Sequence, residues 1–180
     1  MRAGLFVLSA ILSSGCLVTT LQPAFDDESI VFEPALVGTW VREEDGLAVT
    51  VERGEWRSYH VAYTDRFGTS KYTAFLTAIG KGSYLIVRPE DGVERQGYLL
   101  TSHGVLKIEI ADGEVKVAEL DYDTALDRMK AATLGIAAGL DVKQNVVITA
   151  GTKRLRRWID AHGVSPGWWG EWKTFVRKGE

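Results

Sequence analysis

Residues 104–117 read Gly-Val-Leu-Lys-Ile-Glu-Ile-Ala-Asp-Gly-Glu-Val-Lys-Val, and this stretch gives the clearest indication of the fold class. Apolar and charged side chains alternate on both sides of Asp112-Gly113, as expected of two strands that each have one buried face and one solvated face. Asp-Gly between alternating runs is a strong hairpin signal, because both turn residues tolerate positive φ. The stretch therefore predicts a β-hairpin.

Similar short runs, rich in β-branched and aromatic residues, fill residues 35–122. Turn residues separate these runs at seven places: Asp45-Gly46, Arg53-Gly54, Phe67-Gly68, Gly80-Lys81-Gly82, Asp91-Gly92, His103-Gly104 and Asp112-Gly113. Because no helical pattern interrupts the series, we expect an antiparallel up-and-down meander of about eight strands. Residues 72–79 and 84–87 are apolar on both faces, which predicts that another part of the chain covers them.

The segment Val37-Gly38-Thr39-Trp40 opens this strand-rich region. It resembles the Gly-X-Trp motif on the first strand of lipocalins and related small barrels. The resemblance implies a lipocalin-like β-barrel in which Gly38 permits a close bend and Trp40 plugs one end, so that both residues have structural roles. An unrelated strand that contains Trp40 is the alternative.

Residues 123–180 predict a helical extension of the same domain. Thr124-Ala-Leu-Asp127 has the pattern of a capping box, and apolar residues then recur at helical spacing until a stop near Gly139. A second helix is predicted from Thr152 to Gly163, and a final strand from Glu171 to Arg177. We expect the two helices to pack on the barrel, which gives a mainly β, α+β fold.

Two features of this extension suggest contact surfaces. Adjacent Trp168 and Trp169 in a glycine-flanked loop cannot both point to one face of a strand, so we expect one to pack on the core and the other to be exposed. The second helix also carries a basic face that includes Arg156. This face either meets an anionic lipid surface or faces solvent, with Arg156 paired to Asp160 at helical spacing.

The N-terminal residues predict secretion. Met1-Arg2 is a positively charged start, residues 5–12 form a short apolar run, and Ser13, Ser14 and Gly15 are small. The run is much shorter than the roughly 20 apolar residues that a spanning helix needs. Residues 1–15 therefore predict a signal peptide rather than a membrane span.

The stretch Ser13-Ser14-Gly15-Cys16 resembles the bacterial lipobox, in which a small residue precedes a cysteine that is acylated and becomes the new N-terminus. The chain departs from the family at Ser13, where Leu is preferred. The resemblance implies attachment to the membrane of a bacterial cell envelope through lipid on Cys16. Leu17 is not the Asp that marks inner-membrane retention in enteric bacteria, which favours the outer membrane, facing the periplasm. An ordinary secretory leader beside an incidental cysteine is the alternative.

Three segments follow from these patterns: a signal peptide at 1–15, a lipidated tether at 16–34 and one domain at 35–180. The tether contains two prolines and the acidic run Asp26-Asp27-Glu28 without a sustained period, which is typical of a loose spacer. Alternatively, Ile30-Val31-Phe32 forms a short strand that joins the edge of the domain.

Composition narrows the range of functions. A net charge of -3 and a pI near 5.7 give no electrostatic support for a nucleic-acid partner. The single cysteine excludes an internal disulfide and a cysteine-rich metal site. His60, His103 and His162 fall in different predicted elements, and motifs for metalloproteases, serine hydrolases, phosphate loops and dinucleotide binding are missing from the sequence. We therefore expect a non-catalytic protein without a metal or cofactor.

The predicted barrel limits what the protein could bind. An eight-stranded barrel has room for one small ligand, or for none if large side chains fill it. Tyr59, Tyr63, Phe75 and Tyr98 could line such a pocket or plug it. The leading hypothesis is a membrane-anchored binding module for a small or apolar ligand, and the alternative is an envelope interaction or structural protein with a filled barrel.

The lipid anchor gives a direct prediction. Replacing Cys16→Ser should abolish incorporation of labelled palmitate, because acylation begins at that thiol. Labelling is compared at equal amounts of wild-type and variant protein. Equal labelling of the two proteins would show that Cys16 does not carry the lipid.

Overall fold

The computed structural model describes residues 17–66, 68–90, 101–165 and 167–179, so the predicted signal peptide, Cys16 and Tyr98 lie outside the described residues. The described chain contains short and long strands, two α-helices and a 3-10 helix at Pro34–Leu36. The helices are α1 (Tyr122–Lys130) and α2 (Thr152–His162). The strands are β1 (Val18–Thr20), β2 (Ile30–Val31), β3 (Gly38–Arg42), β4 (Leu47–Arg53), β5 (Ser58–Asp65), β6 (Gly68–Ile79), β7 (Gly82–Pro89), β8 (His103–Ala111), β9 (Glu114–Glu119), β10 (Ala138–Leu140), β11 (Val146–Ile148) and β12 (Lys173–Arg177).

Eight antiparallel strands close into an up-and-down barrel in the order β3-β4-β5-β6-β7-β8-β9-β12. Closure comes from β12, which pairs with β9 on one side and with β3 on the other. This confirms the predicted mainly β fold with a lipocalin-like barrel and two helices. The described residues between 35 and 122 supply seven of the barrel strands, and the C-terminal strand supplies the eighth.

The hairpin of residues 104–117 is present as β8 and β9, with Ala111 opposite Glu114 and Gly113 at a φ of 75°. The predicted turn at His103-Gly104 is wrong, because these residues begin β8 and pair with β1. Gly104 is small for a packing reason, since a Cβ there would lie 2.9 Å from Val87.

The buried apolar residues form two cores on opposite sides of the barrel wall. One core lies inside the barrel and consists of Leu36, Trp40, Leu47, Tyr59, Ala74, Leu76, Ile108, Val115 and Phe175. The other lies between the outer wall and the helices, and it includes Tyr84, Ile86, Val105, Leu134, Leu155, Trp158, Ile159 and Trp168. Strand β7 contributes alternate side chains to both cores, which explains why residues 84–87 are apolar on both faces. The expected cover over these strands is therefore α2 with its neighbours.

Helix α1 is shorter than its apolar periodicity predicts. Its N-cap is Asp121, whose carboxylate accepts from the Thr124 backbone N–H at 2.8 Å, and the helix ends at Lys130. The predicted stop at Gly139 is wrong, because Gly139 lies within β10 and pairs with Val147 of β11. Sheet pairing in the folded chain overrides the local helical pattern here.

The segment interpreted from sequence as a loose spacer is folded onto the barrel. Strand β1 pairs in parallel with β11 and antiparallel with β8, and β2 pairs with β6, so the short strand considered at Ile30 is present. Thr20, Ala24 and Ile30 are almost completely buried. Each of these residues contacts a different element, so their spacing shows no period in the sequence.

Arg156 of α2 holds this N-terminal segment against the barrel. Its guanidinium donates to oxygens on the N-terminal segment and on β6: Ala24 O at 2.9 Å, Ser29 Oγ at 3.0 Å, Thr77 Oγ1 at 3.2 Å and Ala78 O at 3.2 Å. Asp26 adds a longer ion pair at 3.8 Å. The expected pairing of Arg156 with Asp160 is therefore wrong, because the guanidinium points at the N-terminal segment instead.

Replacing Arg156→Ala should lower the free energy of unfolding by about 2–4 kcal/mol, because it leaves several partly buried acceptors without their charged donor. The matched control is Arg157→Ala, an exposed arginine on the same helix, which should change stability by less than about 0.5 kcal/mol. Urea unfolding measures both. Equal stabilities of the two variants would contradict this assignment.

Candidate functional site

One end of the barrel, here called the lower end, is closed by the 3-10 helix Pro34–Leu36. The Trp40 indole donates to Leu36 O at 2.9 Å, and the Arg177 guanidinium stacks 4.4 Å from the centre of the Trp40 ring. The same guanidinium donates to the Val37 and Ala35 carbonyls. These contacts make the lower end solid.

Gly38 has two reasons to be glycine. Its φ is 145°, a conformation that L side chains rarely adopt, and a Cβ there would lie 2.3 Å from Arg177 Nη1. Gly38 thus lets the last strand approach the first strand closely enough for Arg177 to cover Trp40. The structure places both motif residues, Gly38 and Trp40, in this closure.

Tyr59 fills the lower half of the barrel. It is fully buried, its ring stacks 5.0 Å from the ring of Phe32, and its hydroxyl accepts from Glu33 N at 2.7 Å and donates to Glu33 O at 3.3 Å. Burial raises the pKa of this hydroxyl. Tyr59 was considered either as part of a pocket lining or as a plug, and this geometry fits a plug.

Phe75 does not line the barrel, which corrects its place among the candidate ligand residues. Its neighbours Ala74 and Leu76 pack inside, so the alternation of β6 directs Phe75 outward. There its ring lies 4.6 Å from the ring of Phe25. Phe75 therefore helps to hold the N-terminal segment.

The opposite end of the barrel, here called the upper end, carries the β3–β4 turn at residues 43–46. Tyr63 faces inward near this end and is partly buried, and burial raises its pKa while the nearby Arg42 charge opposes that rise. Val87 and Val117 also face inward toward this end and are only partly buried. The structure thus leaves part of an apolar inner wall accessible.

Charged pairs lie along one side of this upper end. The Arg42 guanidinium binds both carboxylate oxygens of Asp45, with Nε to Oδ1 at 2.9 Å, and this hydrogen bonding lowers the pKa of Asp45 to about 2. Lys173 Nζ lies 2.8 Å from a Glu119 carboxylate oxygen. A molecule that enters the barrel here would pass from a charged rim to an apolar wall.

A polar cleft on the outer wall was not predicted from sequence. His60 Nδ1 lies 2.7 Å from Glu90 Oε1, in an open cleft of about 210 Å³ that Thr50, Glu52, Val61, Ala62 and Lys71 also line. Thirty positions separate the two partners, and only the pairing of β5, β6 and β7 brings them together. The His60 side chain is half exposed, so the cleft does not exclude water as a catalytic site generally does.

The other histidines have separate surroundings. His103 begins β8, and burial lowers the pKa of its imidazole, whose Nδ1 is buried without a hydrogen-bond partner among the described residues. His162 Nδ1 is 2.8 Å from Trp158 O on the same helix. Within the described ranges, no three His, Cys, Asp or Glu side chains are grouped to hold a metal ion.

The two adjacent tryptophans do not form the exposed contact surface that the sequence suggested. Trp168 is buried, with its ring 4.9 Å from Trp158 and 4.9 Å from His162, so its assignment to a contact surface is corrected. Trp169 is partly buried, and its indole donates to Gly163 O at 3.1 Å. Trp172 is the most exposed of this group, with 40% of its surface accessible.

Trp172 belongs to a small exposed patch, which we call the Trp172 patch and define by Lys107, Val164, Trp169 and Trp172. Lys107 Nζ lies 5.7 Å from the Trp172 ring centre and 5.9 Å from that of Trp169, and it donates to Gly163 O at 2.8 Å. Val164 on the adjoining turn is 70% exposed. The sequence did not single out Lys107, because its distance from the tryptophans along the chain hides the contact.

Comparison of the chain with protein-family models, curated proteins and solved structures finds no match. In the part of the chain that the structure describes, neither helix is long and apolar enough to cross a membrane.

Proposed function

We propose that this protein is a lipid-anchored, non-catalytic binding module of the bacterial envelope that takes one small apolar or amphipathic ligand at the upper end of its barrel. The observation that carries the proposal is the contrast between the two halves of the barrel. Trp40 and Tyr59 are buried in the lower half. Tyr63, Val87 and Val117, which lie toward the upper end, remain partly accessible.

The size and polarity of the barrel support an amphipathic ligand. An eight-stranded barrel encloses room for one small ligand at most, and here large side chains already occupy the lower half. The apolar part of a ligand would lie against Val61 and Val87, where it buries surface that water otherwise contacts. Its polar end would remain beside the charged rim at Arg42 and Lys173.

The anchor part of the proposal depends on Cys16. The leader and the small residues before the cysteine favour acylation at this position. Two or more acyl chains hold a protein durably on a membrane, whereas a single chain gives marginal binding. We place the protein on the outer membrane, facing the periplasm, because Leu17 follows the cysteine.

Filling the upper half of the barrel should remove the ligand. We expect Val117→Trp, on the inner face of β9, to lose a bound small molecule that wild-type protein purified from its host retains in native mass spectrometry. The added ring occupies the space that the ligand would fill.

The matched control is Lys116→Trp, which adds the same ring to the outer face of the same strand and should retain the ligand. Thermal unfolding must show that both variants fold. Wild-type protein that repeatedly carries no small molecule, or equal retention by both variants, would argue against a ligand in the barrel.

The Trp172 patch supports a second candidate function, that of an envelope interaction protein. Exposed Trp and Val beside a lysine form the kind of aromatic and apolar surface that protein interfaces use. An interaction at this patch does not need an accessible barrel, so an experiment can distinguish it from ligand binding inside the barrel.

A photoreactive amino acid at position 172 should form a discrete adduct with one envelope protein in living cells if the Trp172 patch is an interface. The same amino acid at position 168 is the control, because Trp168 is buried and its replacement should capture nothing specific. A Val164→Glu change should then weaken the adduct by placing a charge in the interface. Adducts that are absent, or unaffected by that change, would count against the interface.

A further inference from the structure

The described chain begins in an ordered strand contact. Leu17 N donates to Asn145 Oδ1 at 2.9 Å, Leu17 O accepts from Val146 N at 2.9 Å, and Val18 then pairs with Val146 in the sheet. Cys16 is bonded directly to Leu17, and consecutive Cα atoms are about 3.8 Å apart. No flexible spacer therefore separates Cys16 from the folded domain.

The direction of the strand pairing determines what lies beside Leu17. Because β1 and β11 are parallel, their first residues lie side by side, and the turn that leads into β11 borders Leu17. Leu140, the last residue of β10, pairs with Val146 from the other side. Leu17, Leu140 and the turn at residues 141–145 thus lie at the same end of these three strands, at one border of the sheet.

This turn is held by a dense set of hydrogen bonds. Asp141 Oδ1 accepts from the backbone N–H groups of Lys143 and Asn145 at 2.8 Å each, and Asp141 Oδ2 accepts from Asn145 Nδ2 at 2.8 Å. The Tyr122 hydroxyl donates to Gln144 O at 2.8 Å. The geometry of the turn is therefore fixed even though it projects from the domain.

The fixed turn presents apolar side chains to the outside. Val142 is 98% exposed, and Leu17 and Leu140 are 47% and 42% exposed. We call these three residues the Leu17–Val142 edge. Water contact with this apolar surface is unfavourable, and the boundary region of a bilayer would bury it.

We propose that the Leu17–Val142 edge rests directly on the lipid surface, so that the domain lies flush with the membrane in one orientation. The proposal rests on acylation of Cys16, which places the lipid chains beside this edge. Lys143, exposed on the same turn, would face anionic head groups.

The same geometry gives the direction of the first strand. Strand β1 (Val18–Thr20) follows Leu17, and Thr20 pairs with His103, where β8 begins at the upper end. The chain therefore leads away from the lipid toward the upper end of the barrel.

A fluorescent label at position 142 tests this contact. In acylated protein the Cys16 sulfur is a thioether, so Val142→Cys supplies the one reactive thiol for an environment-sensitive nitrobenzoxadiazole probe. The protein is reconstituted in vesicles of phosphatidylethanolamine and phosphatidylglycerol that contain head-group nitroxide lipids. We expect a shift of the emission to shorter wavelength and quenching by the nitroxides.

Two controls make the result specific. The same probe on Glu43→Cys, exposed on the β3–β4 turn at the upper end, should show neither the shift nor the quenching. A flexible Gly-Ser insertion of about ten residues between Cys16 and Leu17, with an end-to-end distance of about 17 Å, should release the position 142 probe from the lipid.

The outcomes separate this inference from the proposed function. The mass of the protein shows whether it is acylated. If acylated protein shows no more quenching at position 142 than at position 43, the flush orientation is overturned and the anchor remains. Protein that carries no acyl mass would overturn the proposed anchor and, with it, this inference. Quenching at 142 that disappears with the insertion would support both.

Discussion

The whole architecture depends on one constraint, which is that the last strand must enter between the first and the seventh strands of the barrel. Strand β12 pairs with β3 and β9, and Arg177 at its end covers Trp40 and donates to the carbonyls of the lower end. Both helices precede this strand in the chain. The barrel is therefore closed by a strand of the C-terminal extension, and the extension is part of the barrel.

The N-terminal segment also belongs to the folded barrel domain. Its strands extend the sheet at β8 and β6, and Arg156 of α2 donates to it and to the barrel wall together. The guanidinium of this one helix residue thus links the barrel wall to the segment nearest the proposed anchor. Because these contacts are long-range in sequence, we expect the segment and the barrel to unfold together rather than as a mobile tether and a separate domain.

The parts of the fold that could be predicted were those with a local cause. Alternation around Asp112-Gly113 was sufficient for the hairpin, and the apolar stripe that contains Trp158 was sufficient for α2. The three residues of β1 are too few to show a period, so their pairing with β8 and β11 could not be found. Phe75 was misplaced because residues 72–79 are apolar on both faces, which hides the inward parity. The His60–Glu90 pair depends on strand register, which no single segment encodes.

The contrast between the ends of the barrel connects the proposed ligand with the proposed anchor. At the lower end, Trp40 and the Arg177 contacts close the barrel, whereas at the upper end the apolar wall near Tyr63 lies beneath a charged rim. Strand β1 pairs with the start of β8, so an anchor at residue 16 would lie on the outer wall beside the half of the barrel that is proposed to bind the ligand.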